Sequence, residues 1–214
     1  KKLVNSAFAP KYAEMDDIIT QANKDLAANY TPGDEIYIFG FSRGAAIARM
    51  FAARLNWPVK FLGVFDTVAA TRGSLDLDPK TFPASGIVFE NDTLAKHVER
   101  AVHLVALDEQ RLLFQPTLFN KDDRVKEVWF AGAHSDIGGG YRDSGLSDIC
   151  LDFMLNEIDA TLAILQEHEF HYLTLFSGKE RLVINPQELH IYPNSEGKLH
   201  SKQSSFSRSL LYAA

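Results

Sequence analysis

The stretch Tyr37-Ile38-Phe39-Gly40-Phe41-Ser42-Arg43-Gly44-Ala45-Ala46 constrains this chain more than any other. An apolar strand-like run passes through Gly-x-Ser-x-Gly into a small-residue helix, and a sharp strand-to-helix turn joins such halves. A serine on that turn is strained, with its hydroxyl exposed above the sheet. Gly40 and Gly44 are expected to be required because side chains there would collide with the turn or the neighbouring strand. The helix N-terminus beneath Ser42 offers backbone N–H groups to a developing oxyanion. A plain glycine-rich connection with a capping serine would need neither the apolar run before it nor the helical run after it.

The pattern along the rest of the chain extends this unit into an α/β fold. Tyr12, Met15, Ile18, Ile19, Ala22 and Leu26 recur at helical spacing across 11–29, and Tyr30-Thr31-Pro32-Gly33-Asp34 ends that helix. A strand over 35–39 enters the serine turn and a helix over 45–55 leaves it, stopped by Asn56-Trp57-Pro58. Residues 59–65 form a near-continuous apolar run, which suits a parallel strand covered on both faces. Residues 101–107 and 126–131 read as two further strands, and 148–168 as the longest helix. Loops are expected around 72–85 and 138–145, and the serine-rich stretch 194–209 carries no periodic core signal. No repeat or linker divides the chain, so a single domain over 1–214 with a mostly parallel sheet and flanking helices is expected.

Composition removes several function classes. With 214 residues, 46% hydrophobic and 23% charged, the chain has the balance of a globular protein with a sizeable core. A net charge of −6 argues against a broad nucleic-acid-binding surface. The single cysteine, Cys150, excludes an internal disulfide or a cysteine-based metal cluster, and its apolar neighbours suggest a buried thiol. No run of 18 apolar residues suggests a transmembrane helix.

A serine nucleophile needs a base to take its proton and an acid to orient that base. In this fold the expected chain order is serine, acid, histidine, with the acid just past a later strand. Asp66, ending Phe61-Leu62-Gly63-Val64-Phe65, and Asp136, between Val128–Ser135 and Ile137-Gly138-Gly139-Gly140, both fit. The glycine string, which lets backbone pack closely around a carboxylate, favours Asp136. With Asp136 as acid, His97 and His103 come too early, and His168 and His171 flank a helix end. His190 alternates with apolar residues, whereas His200 lies in a late polar loop where a base belongs, so His200 is favoured with His190 in reserve. His134 and Asp136 at i, i+2 resemble a metal pair, but no further ligands accompany them, and neither metal nor cofactor is expected.

Four blocks then carry a family resemblance: Gly40–Ala46, Leu62-Gly63-Val64-Phe65-Asp66-Thr67-Val68, Ala106-Leu107-Asp108-Glu109-Gln110-Arg111 and Val128–Tyr141, in that order. Together they resemble the α/β-hydrolase family once called domain of unknown function 2235, whose members include Tle1-type phospholipase effectors of bacterial type VI secretion. The resemblance implies a Ser–Asp–His esterase in which Ser42 is the nucleophile and Asp136, in the His-Ser-Asp-x-Gly-Gly-Gly-Tyr block, is the acid. His200, in Gly197-Lys198-Leu199-His200-Ser201, is the best local match to the family histidine, and the Arg43 amide would be one oxyanion donor. It further implies an A-type phospholipase, cleaving lipid esters through an acyl-enzyme. Implied partners are a phospholipid or other ester substrate, a membrane surface, and an immunity protein or secretion component. The implied location is the bacterial cytoplasm before export into a target cell. The residues before Glu35 are too few for the strands such a fold places there, so the expectation is either an N-terminally truncated hydrolase domain or an unusually short sheet. Rival readings are a soluble carboxylesterase of small esters and an inactive hydrolase-fold binding protein.

Overall fold

The structure is a computed structural model that describes residues 12–69, 94–111, 114–161, 173–177, 180–184 and 191–200. Its elements run α1 (Tyr12–Asn29), β1 (Tyr37–Phe41), α2 (Arg43–Arg54), β2 (Phe61–Phe65), β3 (Ala101–Ala106) and β4 (Val125–Phe130), followed by α3 (His134–Gly138), α4 (Gly145–Thr161), β5 (Leu173–Ser177) and β6 (Glu180–Ile184). Strands β1 to β4 make one sheet in the order β1-β2-β3-β4, every pair parallel. Strands β5 and β6 pair as a separate antiparallel hairpin, which the sequence reading did not anticipate.

All-parallel pairing follows from the apolar runs, because each central strand is covered from both sides. Every residue of β3 is buried, and β2 is buried from Phe61 through Val64. On one face, Ala45, Ala48 and Ala52 of α2 pack against Ile38, Leu62 and Val64. The small alanines, all on one side of the helix, let its axis approach the sheet closely. On the other face, Ile137 of α3 with Cys150 and Met154 of α4 covers Phe61, Val102, Leu104 and Ala106. Alternate residues of one strand thus feed two different clusters. Burying a side chain such as Phe61 or Leu104 contributes about 1.5–3 kcal/mol relative to leaving it in water.

The observed elements differ from the expected ones mainly at their ends. Strand β1 runs two residues later than 35–39, because its ladder with β2 carries the apolar run through Gly40 and Phe41 to the turn. Strand β2 begins at Phe61, while Val59 makes an isolated parallel bridge to Val98. Helix α4 starts at Gly145, and the expected continuation over 162–168 lies outside the described residues. The expected loop at 72–85, His168, His171, His190 and residues 201–209 also lie outside them.

The functional consequence of this topology is simple. Four parallel strands end at one edge of the sheet, so the residues following β1, β2 and β4 meet there. They are Ser42, Asp66 and His134.

Candidate active site

Ser42 sits between β1 and α2 with φ 60° and ψ −125°, a conformation that L-residues rarely adopt. Strain of this kind costs about 1–3 kcal/mol and persists only where the surroundings over-determine it. They do so here. The Ser42 N–H donates to Phe65 O at 3.0 Å, extending the β1–β2 ladder, and the Ser42 carbonyl accepts from Val68 N–H at 3.1 Å and from Ala45 N–H at 3.1 Å. Gly40 is required as expected, since a Cβ there would lie 2.5 Å from Gly44 O and 2.7 Å from Ala45 Cα. The expectation for Gly44 is corrected: a Cβ at Gly44 would meet nothing within 4 Å.

Asp66 follows β2 with φ 41° and is fully buried. Its backbone N–H donates to Leu104 O at 2.7 Å, and its Oδ1 accepts the Ala106 N–H at 3.0 Å. The other carboxylate oxygen, Oδ2, lies 2.6 Å from His134 Nδ1. His134 Nε2 in turn lies 2.8 Å from Ser42 Oγ. Asp66 can only accept, so Nδ1 carries the proton and Nε2 is left to accept the serine hydroxyl. Phe41 lies 4.6 Å from the imidazole, tilted by 32°, and Phe114 meets it edge-on at 5.0 Å. These rings and the two hydrogen bonds leave the imidazole one orientation.

His134 is the first residue of the five-residue helix α3, directly past β4. Its backbone N–H donates to Glu109 Oε2 at 3.3 Å, and the same carboxylate receives the Arg111 guanidinium at 2.7 Å through each of two nitrogens. Burial pushes the Glu109 carboxyl up, but the Arg111 bonds outweigh it and hold the group below the usual carboxylate range. Arg111 also lies over the Phe114 ring at 3.5 Å. Ionised Glu109 therefore anchors both the backbone of His134 and, through Arg111, one of the rings against it.

The expected partners of Ser42 are placed differently. Asp136 and His200 do pair, with Asp136 Oδ1 2.6 Å from His200 Nδ1, but the hydroxyl of Ser42 meets His134 instead. The expected line Ser42–His200–Asp136 is thus replaced by Ser42–His134–Asp66. The physical reason lies in the strand ends. Asp66 leaves β2 beside the serine turn, whereas Asp136 is turned back against its own loop, where its Oδ2 accepts the Ala133 N–H at 3.0 Å. Gly132, at φ 121°, makes that possible: a Cβ there would lie 2.4 Å from Asp136 Cβ. The glycine string 138–140 does not supply this packing: a Cβ at Gly138 would run into the Phe41 ring, and at Gly139 or Gly140 it would meet nothing within 4 Å. The sequence pattern singles out His134 only as half of a metal pair with Asp136, not as a base. With Asp66 as the acid, the order serine, acid, histidine holds.

Arg43, expected as an oxyanion donor, is the first residue of α2. Beside the serine turn runs a groove of about 410 Å³ lined by Phe39, Phe41, Phe65, Ile137, Gly138 and Leu151 among others. Trp129 is about half exposed and does not line it. Cys150 is buried, with Sγ 3.9 Å from Asp136 O, and burial pushes its thiol up to about 12. Among the described residues no group of three or more His, Cys, Asp or Glu is placed to hold a metal ion. No described helix is long and apolar enough to cross a membrane.

A family model described as the catalytic domain of Tle1-like type VI secretion phospholipase effectors matches residues 1–57 and 52–157. An uncharacterized protein of Saccharomyces cerevisiae is 43% identical over 56 residues, which are 26% of this chain and 8% of its own. Two solved structures are similar in part. One is an uncharacterized protein from Pseudomonas aeruginosa, 24% identical with a TM-score of 0.43 over 70% of this chain and 27% of its own. The other is a Tle1 effector bound to the VgrG spike of the type VI secretion system, 22% identical with a TM-score of 0.38 over 76% of this chain and 42% of its own. The chain thus spans less than half the length of each of these relatives.

Proposed function

We propose, since the chain belongs to the family of Tle1-like catalytic domains of type VI secretion phospholipase effectors, that it hydrolyses carboxylic esters of phospholipids through an acyl-enzyme on Ser42. The observation that carries this reading is the hydrogen-bonded line Ser42 Oγ–His134 Nε2 and His134 Nδ1–Asp66 Oδ2 at 2.8 and 2.6 Å. His134 removes the serine proton as Oγ attacks the ester carbonyl, and the Asp66 carboxylate holds and stabilises the imidazolium that forms. The Arg43 amide, at the start of α2, donates to the oxyanion. His134 then protonates the leaving alcohol, and water, activated by the same imidazole, releases the acyl group.

Attack on an acyl ester makes the reaction A-type, and the apolar groove supports that choice. Phe41 flanks both the groove and Ser42, so an acyl chain lying along Phe39, Phe65 and Leu151 brings its carboxyl end toward the nucleophile. The proposed partners are a membrane surface that supplies the lipid and a secretion component that carries the protein into a target cell. The spike complex of the Tle1 effector illustrates such a component.

Ser42→Ala tests the mechanism. Hydrolysis of phospholipid vesicles should fall by at least about 10³-fold with the melting temperature unchanged, and fluorophosphonate labelling should vanish. Undiminished turnover overturns the assignment. Faster cleavage of short soluble esters than of vesicles overturns the phospholipid reading alone.

A further inference from the structure

The second acid–histidine pair takes no part in the reaction just described, yet it is built with equal care. Asp136 is 2% exposed and lies two residues past His134 on the same short helix. Both its oxygens are engaged: Oδ1 with His200 Nδ1 at 2.6 Å, and Oδ2 with the N–H groups of Ala133 at 3.0 Å and His200 at 3.1 Å. The His200 ring lies flat on Tyr141, with centroids 3.8 Å apart and planes 16° apart. Tyr141 follows the glycine string that leaves α3, so the stack joins the far end of that loop to the His200 segment.

Five residues are too few for a helix to hold itself in water, so α3 depends on its surroundings. It is gripped at two of its residues: His134 by Glu109 and Asp136 by His200, whose ring is backed in turn by Tyr141. The segment bearing His200 is itself tied to α4, since Tyr192 N–H donates to Asp148 Oδ2 at 3.0 Å and Asn194 N–H donates to Gly145 O at 3.1 Å. We infer that His200 and Tyr141 form a clasp that positions His134, locking the turn that carries the base against the sheet edge. The inference rests on the reading of His134 as the base. His200 and Tyr141 are positioning residues in this scheme and exchange no proton with substrate. A misplacement of about 1 Å costs on the order of 10²-fold in rate, so a loose α3 would show in turnover before it showed in binding.

The test compares His200→Leu with His200→Asn in the full chain, using a soluble short-chain ester. The asparagine amide nitrogen can sit where Nδ1 does and keep the bond to Asp136, but it offers no basic ring nitrogen. Leucine should lower kcat by about 10- to 100-fold at unchanged KM, and asparagine should restore it to within about threefold of the original. Original kcat in the leucine variant overturns the clasp. If both variants lose as much as His134→Ala, His200 is itself the base, and the clasp falls together with the assignment of His134. Full turnover in His134→Ala would defeat that assignment by itself. Should the leucine variant fail to fold, Tyr141→Leu removes the stack on His200. A fall of about tenfold in kcat at unchanged KM supports the clasp there, and an unchanged kcat overturns it.

Discussion

Two aspartate–histidine pairs stand on one loop-rich edge of this molecule, and their contacts are the same length: 2.6 Å for Asp66–His134 and 2.6 Å for Asp136–His200. What separates them is the far side of each imidazole. Nε2 of His134 meets a strained serine hydroxyl, whereas the ring of His200 lies flat beneath Tyr141. The aspartates differ as well. Asp66 spends its second oxygen on the backbone of a neighbouring strand, at Ala106, while Asp136 spends both on its own loop and on the His200 segment. A short acid–histidine contact is therefore no sign of catalysis by itself. The surroundings separate the two: one imidazole ends on the Ser42 hydroxyl and the other on the face of Tyr141.

The sharpest way to break this comparison is to neutralise each acid in turn. Asp66→Asn should lower kcat on the order of 10³- to 10⁴-fold, because the amide favours the wrong imidazole tautomer. Asp136→Asn should cost only about 10- to 100-fold, through a misplaced His134. Equal losses in steady-state kinetics would mean that the two pairs do not have separate tasks. A smaller effect is expected from Gly132→Ala, which forces a Cβ to within 2.4 Å of Asp136 Cβ at φ 121°. It should destabilise the fold by about 1–3 kcal/mol in urea unfolding, and an unchanged midpoint would show that the Asp136 loop yields freely.

The smallest expected effect concerns another buried histidine, His103, which supports only the Asp66 side. His103 Nε2 accepts the Thr67 N–H at 3.1 Å, so its Nδ1 carries the proton donated to Glu127 at 2.8 Å. Burial lowers its pKa, with Arg49 adding to the effect and Glu127 opposing it, so the ring is neutral when folded. In the unfolded chain it takes up a proton near its ordinary value of about 6.5. Its contribution is thus fully present above that value and is lost as pH falls below it. Melting temperature should drop between about pH 7 and pH 5, and His103→Gln should make the drop shallower. An identical slope in both proteins would remove His103 as its source.

How much of this was legible beforehand depends on range. The Ser42 turn was readable because its signal is local: an apolar strand, two glycines and small helix formers within ten residues. The parallel strands were readable because burial on both faces writes continuous apolar runs. The acid was harder, since Asp66 and Asp136 both follow strands, and only the three-dimensional register shows which carboxylate turns toward the serine. The histidine depended on the acid. Choosing Asp136 displaced the base to His200, and the structure does contain the pair, 2.6 Å apart, with the Ser42 hydroxyl on His134 instead. A signal for His134 was present, because it lies directly past the end of β4 at the same sheet edge as Ser42.

The burial of Cys150 gives the molecule a built-in clock for its own loosening. The thiol sits on the sheet-facing side of α4 against the carbonyl of Asp136, and burial pushes its pKa far above neutrality, so a thiolate-seeking dye meets no target while the helix is docked. With one cysteine in the chain, every modification event dates an excursion of this one face of the sheet. The reagent's rate thus reads how often the floor beneath the second acid–histidine pair lifts.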